Sequence, residues 1–238
     1  MKSPLFHTFC LLTVLQFAML HAFADRAPNT LTTEEQAAGW KLLFDGKTSA
    51  GWRGVEMQTF PAAGWKVENG ELKVLKGFKK GDLVTTEKFE NYELVWEWNL
   101  SEGGNSGVKY NLVNPQAPLG CEFQLLDDLK HDDGVRNGPI HHTGALYDLI
   151  PPSDDKKLNP PGQWNECRLV VKGKHVEHWL NGAKLVEYKF GSEDLKAKIA
   201  KSKYKDNQGF GDKRKSPILL QDHGDAVAFR NIRIRILK

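Results

Sequence analysis

Two Asn-Gly pairs, each lying between short segments of alternating polarity, constrain the fold of this chain most strongly. They are Asn69-Gly70 and Asn181-Gly182. The segments that flank them are residues 65–68, 71–74, 175–180 and 184–188. Asn-Gly between two such segments is the strongest short-range signal for a two-residue β-hairpin. The sequence therefore predicts two hairpins and antiparallel strand pairing around them.

Further strands with a period of two fill much of the remaining chain. Residues 92–98, 168–171 and 230–236 alternate apolar and polar side chains. Helical patterns do not alternate with these strands, and we find no internal repeat and no linker that divides the chain. Many short strands joined by turns favour an all-β sandwich over a parallel βαβ sheet.

Three stretches interrupt the strand pattern. Thr32 and Glu35 have capping-box spacing, which predicts a short N-terminal helix. Residues 127–139 are polar and contain glycine, so we interpret them as a loop. Residues 191–216 are rich in lysine and favour a helix around 192–203, with eight basic residues between positions 196 and 215. Because Asp and Glu dilute these charges, a solvated insertion explains them better than a nucleic-acid surface.

The amino-acid composition and net charge limit the classes of binding partner to which the chain is suited. Charged residues make up 26% and the formal net charge is +3, which gives no overall case for nucleic acid or an anionic membrane as partner. Aromatic residues make up 10%, seven of them Trp, which suits a sugar-binding face. The chain has no Gly-rich dinucleotide motif, P-loop, GxSxG or HExxH pattern, so we expect no nucleotide cofactor.

The first 24 residues resemble a signal peptide. Lys2 precedes an apolar run over residues 9–20, and Ala22-Phe23-Ala24 is typical of a cleavage site. The apolar run is shorter than the ~20 residues that a membrane span needs. We therefore expect an exported protein without a membrane span, in which residues 25–38 form an N-terminal segment before the main domain at 39–238.

Export would leave two cysteines, Cys121 and Cys167, in an oxidising compartment. The sequence leaves open whether they form a disulfide or remain two buried thiols.

Residues 120–128 contain the richest set of chemical groups. In a strand, Glu122 and Gln124 share one face while Phe123 and Leu125 share the other. A bulge near residues 125–126 would bring Asp127 to the face of Glu122. The spacing is similar to the Glu-x-Asp-x-x-Glu site of jelly-roll β-glucanases, with Gln124 in place of the central Asp. A polar strand face without a catalytic role is the alternative.

Other candidate groups lie before and after this strand. Lys109 points away from the face of Val108, either into a shared cleft or into solvent. His141 and His142 would face opposite sides of a strand, so one of them could act as a base while surface positions remain the alternative. Residues 221–225 are rich in ligand-type atoms that suit a divalent cation, or else form a turn stabilised by its own side chains.

Seven pieces of sequence, in order, resemble the 3-keto-disaccharide hydrolase domain family. The resemblance covers residues 39–237 and is carried by residues 40–47, 104–110, 122–127, 143–147, 178–182, 220–225 and 229–234. It implies a concanavalin A-like lectin/glucanase jelly-roll sandwich. It also implies an exported bacterial enzyme, in the periplasm or outside the cell, that degrades sugars.

The resemblance further implies cleavage of 3-keto-glycosides. A ketone at C3 acidifies the C2 proton, so a base can remove it and the C1 aglycone can then leave by 1,2-elimination. Water can afterwards add to the 2-hydroxy-glucal product. Such chemistry needs a base and a positive charge, which a divalent cation could supply, near the enolate oxygen.

We assign the candidate residues on this basis. The catalytic candidates are His141 as the favoured base, His178 as a second base, Glu122, and Lys109 for the enolate oxygen. The substrate-binding candidates are Asn105, Gln124, Asp127 and Tyr147. The candidate cation ligands are Glu122, His223 and Asp225.

Three alternatives remain at this point. A non-catalytic carbohydrate-binding module would bind glycans without turnover, because fold does not fix function. A retaining glycosidase would use Glu122 and Asp127, with carboxyl groups ~5 Å apart, on unoxidised glycosides. A structural or adhesion role comes last. The sequence does not distinguish a hydrolase from a lyase. It also leaves open which anomer and which aglycone the enzyme prefers, and its oligomeric state.

Overall fold

Two antiparallel β-sheets form the body of the protein. The computed structural model describes residues 27–78, 81–114 and 118–238. The strands are β1 (Trp40–Leu42), β2 (Trp52–Gly54), β3 (Trp65–Glu68), β4 (Glu71–Val74), β5 (Leu83–Thr85), β6 (Tyr92–Leu100), β7 (Asn105–Asn114), β8 (Leu119–Leu126), β9 (Asn165–Lys172), β10 (His175–Leu180), β11 (Ala183–Lys189), β12 (Leu219–Leu220) and β13 (Val227–Ile236).

The strands divide into an eight-stranded and a five-stranded sheet. The larger sheet has the order β11-β10-β9-β6-β13-β4-β3, with β1 also paired to β13. The smaller sheet has the order β2-β5-β12-β7-β8. The short β12 pairs with both β5 and β7, so the C-terminal part of the chain completes the middle of the smaller sheet. The predicted all-β sandwich is confirmed.

Both predicted hairpins are confirmed. Asn69-Gly70 joins β3 to β4 and Asn181-Gly182 joins β10 to β11. The φ angles are 54° and 76° in the first turn, and 45° and 82° in the second. Positive φ at both central residues is what a type I′ hairpin turn requires, and Asn followed by Gly tolerates it best.

The helices differ from the sequence prediction in part. The predicted capping box is present at the start of α1 (Thr33–Ala37). The stretch interpreted as a loop contains α2 (Asp132–Asn137) and a 3-10 helix (Gly138–His141). His141 and His142 are therefore not on a strand, which corrects that expectation. The predicted helix in the Lys-rich stretch is α3 (Glu193–Ile199), which is shorter than expected because the chain turns after Ala200.

None of the helices in the described part of the chain is long and apolar enough to cross a lipid bilayer. The predicted signal peptide, residues 1–24, lies outside the described residues.

Aromatic side chains fill the space between the two sheets. Phe123 of β8 lies 5.1 Å from the Trp96 ring in an edge-on contact, and it stacks on the His178 ring at 4.4 Å. These three residues are almost completely buried. Because β8 alternates, the inward position of Phe123 directs Glu122 and Gln124 to the outer face of the smaller sheet.

His178 is a core residue, which corrects its assignment as a second catalytic base. Its Nδ1 lies 3.0 Å from the Gly144 carbonyl oxygen and its Nε2 lies 2.7 Å from the Tyr110 hydroxyl. A neutral ring satisfies both partners by donating from Nδ1 and accepting at Nε2. Burial lowers the pKa of His178 to about 4. The ring therefore stays neutral at physiological pH and is sealed from solvent.

Cys121 and Cys167 are free and buried, so the thiol alternative describes this structure. The Trp98 indole donates a hydrogen bond of 3.1 Å to Cys167 Sγ. Burial raises the pKa of Cys121 to about 11. Both thiols are thus protonated core groups with little nucleophilic character.

We predict that acidification destabilises the fold through His178. The folded pKa of about 4 lies below the ordinary value of 6.5, so the unfolded chain binds more protons between these values. The free energy of unfolding should therefore fall by about 2 kcal/mol between pH 7 and pH 5 from this residue. Urea unfolding at both pH values measures it.

Two variants isolate the contribution of His178. In His178→Gln, the fall in the free energy of unfolding that we attribute to His178 should disappear. The control His175→Gln changes a residue on the outer face of the same strand and should keep that fall. An unchanged pH dependence in His178→Gln contradicts the prediction. If that variant does not fold, the histidine resonances of the native protein decide: one ring should remain neutral at pH 5.

Candidate active site

A cavity of about 540 Å³ lies against the outer face of the five-stranded sheet. Strands β7 and β8 pair there so that Lys109 lies opposite Glu122 and Gly107 lies opposite Gln124. Six predicted site residues line the cavity: Asn105, Lys109, Glu122, Gln124, Tyr147 and His223. Five further polar or aromatic residues that we did not assign as site residues also line it: His131, Asp133, Lys203, Tyr204 and Gln221.

Glu122 is the central carboxylate of this cavity and is only 5% exposed. With the amides of Gln124 and Gln221 oriented to satisfy their neighbours, each amide nitrogen donates to Glu122 Oε1 over 3.1 Å. The Lys109 ammonium lies 3.5 Å from Glu122 Oε2. A buried carboxylate needs such partners, since an unpaired buried charge is costly.

Lys109 is held in place by more than this ion pair. In the same orientation of the Gln221 amide, its oxygen accepts from Lys109 Nζ over 3.0 Å. Lys109 Nζ also donates to the Pro118 carbonyl oxygen over 3.2 Å. The side chain is only 13% exposed. The ammonium is therefore a fixed positive charge beside Glu122.

Gly107 makes room for the Glu122 carboxylate. A Cβ atom at position 107 would lie 2.5 Å from Glu122 Oε1 and 3.1 Å from the side-chain amide of Gln221. Any side chain at this position on β7 would displace the carboxylate, so glycine is required by the close approach rather than by a turn.

One wall of the cavity is built by Tyr147 and the residues behind it. The Tyr147 hydroxyl donates to Asp133 Oδ2 over 2.9 Å. His141 lies between two carboxylates, with Nδ1 2.9 Å from Asp133 Oδ1 and Nε2 3.0 Å from Asp148 Oδ1. Burial works against ionisation of Asp133, but the hydrogen bonds from His141 and Tyr147 hold its pKa below the ordinary value.

The position of His141 argues against its assignment as the base. Both ring nitrogens face carboxylates, and the ring packs 4.3 Å from Tyr147 rather than lining the cavity. A ring whose two nitrogens are both engaged by neighbouring carboxylates presents neither of them to a substrate in the cavity. His141 instead links α2 to the segment that carries Tyr147.

The Lys-rich stretch contributes the rim of the cavity beside Tyr147. Lys203 Nζ lies 4.1 Å from the centroid of the Tyr147 ring. The backbone N–H of Lys203 donates to Asp148 Oδ2 over 2.9 Å, and the Tyr204 ring stacks on Phe210 at 4.1 Å. The interpretation of this stretch as only a solvated insertion is therefore wrong at its centre. The sequence did contain a signal that this segment is packed: the aromatic residues Tyr204 and Phe210 lie within the run of basic residues.

Asp127 and Asp225 do not line the cavity. Asp127 Oδ2 accepts from the Gly103 backbone N–H over 2.8 Å, and its side chain lines a separate cavity of about 450 Å³. The expected bulge at residues 125–126 is absent, because β8 stays in register with β7 there. The carboxylate pair of a retaining glycosidase is therefore not assembled by Glu122 and Asp127. Asp225 accepts from the Asn105 backbone N–H over 3.1 Å.

The predicted cation ligands are not brought together as a set. In the described ranges, the group of metal-ligating atoms that all lie within 4.8 Å of one another is His175, Glu177 and Glu187, on β10 and β11 of the larger sheet. These three side chains could hold a divalent cation. At Glu122 the neighbouring positive charge is the Lys109 ammonium, and Asp225 is engaged with backbone.

The sequence profile of the 3-keto-alpha-glucoside-1,2-lyase-like domain matches residues 39–235. The chain belongs to this family. A Bacteroides thetaiotaomicron protein named 3-keto-disaccharide hydrolase is 31% identical over an alignment of 240 positions, and the match covers 88% of this chain and 82% of that protein. The family predicted from the seven sequence pieces is thus confirmed.

Two crystal structures of candidate glycosyl hydrolases from Parabacteroides distasonis share the fold of this 3-keto-glucoside lyase-like domain. The first is 34% identical with a TM-score of 0.80, and the match covers 89% of this chain and 100% of that one. The second is 26% identical with a TM-score of 0.65, and the match covers 83% and 99%. Together with the family, they support a carbohydrate-active enzyme with a jelly-roll sandwich.

We predict that Asp148 holds the Lys203 rim in place. Asp148→Asn keeps a residue type that tolerates the positive φ of 62° at this position but removes one of the two carboxylate acceptors. Loss of a hydrogen bond to a charged group should raise the equilibrium constant for local opening of residues 200–205 by about 10-fold or more. Deuterium uptake and trypsin cleavage within this segment measure the change.

Asp154→Asn is the matched control, because Asp154 is an exposed aspartate close to Asp148 in the sequence. It should leave both rates as they are in the native protein. Equal deuterium uptake in Asp148→Asn and the native protein would show that the rim is held by other contacts.

Proposed function

We propose that this protein cleaves 3-keto-glycosides by removing the C2 proton and eliminating the C1 aglycone. The observation that carries the proposal is the pairing of the Glu122 carboxylate with the Lys109 ammonium in a polar cavity of sugar-binding size. Further support comes from the relative in Bacteroides thetaiotaomicron, whose name gives 3-keto-disaccharides as its substrates.

Glu122 is the base in this proposal. Asp133, the other carboxylate of the cavity wall, is occupied by His141 and Tyr147. The Nδ1 of His131 accepts from the Asp133 backbone N–H over 3.1 Å, so a neutral His131 carries its proton on Nε2 and can only donate there. Glu122 lies at the centre of the cavity, with Oε1 bound by the two amides and Oε2 3.5 Å from the Lys109 ammonium, and in this proposal Oε2 accepts the C2 proton.

Lys109 stabilises the charge that develops during proton removal. As the C2 proton leaves, negative charge moves to the oxygen of the C3 ketone. Because the Lys109 ammonium is already held in place, it stabilises that charge without reorganising during the reaction. The amides of Gln124 and Gln221, which adjoin the carboxylate, are suited to bind the hydroxyl groups of the ring.

The remaining steps follow from the enolate. Its electron pair forms the C1–C2 double bond and the aglycone oxygen leaves, taking up a proton. The product is a 3-keto-2-hydroxy-glucal, and addition of water to that double bond gives the free 3-keto sugar. Elimination followed by hydration has the same net outcome as hydrolysis.

We predict that the enzyme releases the aglycone from a 3-keto-glucoside and leaves the unoxidised glucoside intact. Glu122→Gln and Lys109→Met should each lower kcat by about 100-fold or more, because each removes a group that acts on the transition state. Aglycone release and the transient ultraviolet absorbance of the glucal measure both.

Glu102→Gln is the control for the loss of a carboxylate, because Glu102 is exposed and pairs with Lys130 on the surface. It should retain full activity. Equal cleavage of the unoxidised glucoside would instead indicate a conventional glycosidase, and binding without turnover would indicate a binding module. Cleavage rates with and without a chelator show whether Lys109 or a divalent cation stabilises the charge on the C3 oxygen. A rate that the chelator does not change indicates Lys109.

We also propose that the enzyme acts after export. The proposal depends on the leader features at Lys2 and Ala22-Phe23-Ala24. Protein recovered from the medium or periplasm of an expressing bacterium should begin at Asp25, which N-terminal sequencing checks. Recovery of the intact Met1 form from the cytoplasm would contradict it.

A further inference from the structure

Lys203 is set apart from Lys109 by its surroundings. Lys109 has a carboxylate 3.5 Å away and two oxygen acceptors. In residues 27–78, 81–114 and 118–238, no carboxylate oxygen lies within 4.0 Å of Lys203 Nζ, which instead lies over the ring of Tyr147. A lysine without a carboxylate partner can give up its proton more readily than one that is ion-paired.

The backbone of Lys203 is anchored on both sides. Its N–H is bound by Asp148, a non-glycine residue with a positive φ of 62°. The next residue, Tyr204, is buried and stacks on Phe210 with the ring planes 9° apart. The Lys203 residue itself is exposed at the cavity rim, so its long side chain can move while its starting point stays fixed.

The electrostatic surroundings of the amine agree with this geometry. Partial burial lowers the pKa of Lys203, and the Lys109 ammonium adds to this effect, whereas Glu122 and Asp148 oppose it. A second cation and partial desolvation are two ways in which proteins obtain a nucleophilic lysine amine.

We propose that Lys203 is a nucleophilic catalytic residue that forms an iminium with the C3 ketone of the substrate. The proposal rests on the proposed function, which provides the ketone. In it, Glu122 removes the C2 proton from the iminium rather than from the free ketone, because a positively charged nitrogen at C3 withdraws electrons more strongly than oxygen does.

The atoms balance over the cycle. The neutral amine of Lys203 adds to C3, and the carbinolamine takes up a proton from water and loses a water molecule to give the iminium; the later hydrolysis of the iminium returns that proton. Glu122 takes the C2 proton, the electron pair forms the enamine, and expulsion of the aglycone leaves a C1–C2 double bond conjugated to the iminium. The aglycone departs with the proton that Glu122 received. Water then hydrolyses the iminium, releasing the 3-keto-2-hydroxy-glucal and the free amine of Lys203.

The test uses 3-keto-1,5-anhydroglucitol, which has the ketone but no aglycone. The enzyme is incubated with this compound and sodium cyanoborohydride, which reduces an iminium in preference to a ketone. We expect a stable adduct equal to the mass of the compound less one oxygen atom, located on Lys203 by peptide mass spectrometry. An adduct on Lys109, or no adduct under conditions in which a 3-keto-glucoside is cleaved, would overturn the proposal.

Lys203→Arg distinguishes a nucleophile from a simple positive charge. Arginine keeps the charge but does not form the iminium, so this variant should lose the adduct and about 100-fold or more of kcat. Lys201→Arg, on the same exposed segment, is the matched control and should retain both. If Lys203→Arg keeps the native rate, Lys203 is not a nucleophile in this reaction.

A separate readout distinguishes this proposal from the proposed function. Exchange of the C2 proton of 3-keto-1,5-anhydroglucitol in D₂O reports proton removal without any elimination. Cleavage and exchange without an adduct would overturn the role of Lys203 alone. No cleavage of any 3-keto-glucoside would overturn the proposed function as well.

Discussion

The alternation of side chains along β8 is the constraint on which the rest of the site depends. Phe123 must face the core, where it contacts Trp96 of the opposite sheet and stacks on His178. A strand has a period of two, so the same register that buries Phe123 directs Glu122 and Gln124 outward. A shift of one residue in the register of β8 would turn the core side chains toward the cavity and the cavity side chains toward the core. The position of the Glu122 carboxylate therefore depends on the packing between the two sheets.

The cavity is completed by contacts between parts of the chain that are far apart in sequence. Asp133 of α2, His141, Asp148 and Lys203 follow one another in a connected set of hydrogen bonds. The imidazole of His141 is the link between the first two segments, and the Asp148 carboxylate joins them to the rim. This arrangement explains how a ring outside the cavity determines where Tyr147 and Lys203 lie.

The features predicted from sequence are those that depend on local rules. The two Asn-Gly hairpins, the capping box of α1 and the outward face of Glu122 and Gln124 each follow from a few neighbouring residues. The family resemblance added the fold and the region of the site. The roles of individual histidines could not be obtained in this way, because burial of His178 and the paired carboxylates around His141 arise from tertiary contacts. Lys203 was missed for the same reason, since its stretch of sequence is dominated by solvated lysines.

The two free cysteines have a consequence for how the protein can be handled. Cys121 and Cys167 are 1% and 0% exposed, and neither is joined to another residue by a covalent bond. Because no disulfide is present in the part of the chain that the structure describes, the native state of that part does not depend on an oxidation step. The β-sandwich can therefore acquire its structure in a reducing cytoplasm, and reductant protects its two thiols during refolding instead of breaking a stabilising bond.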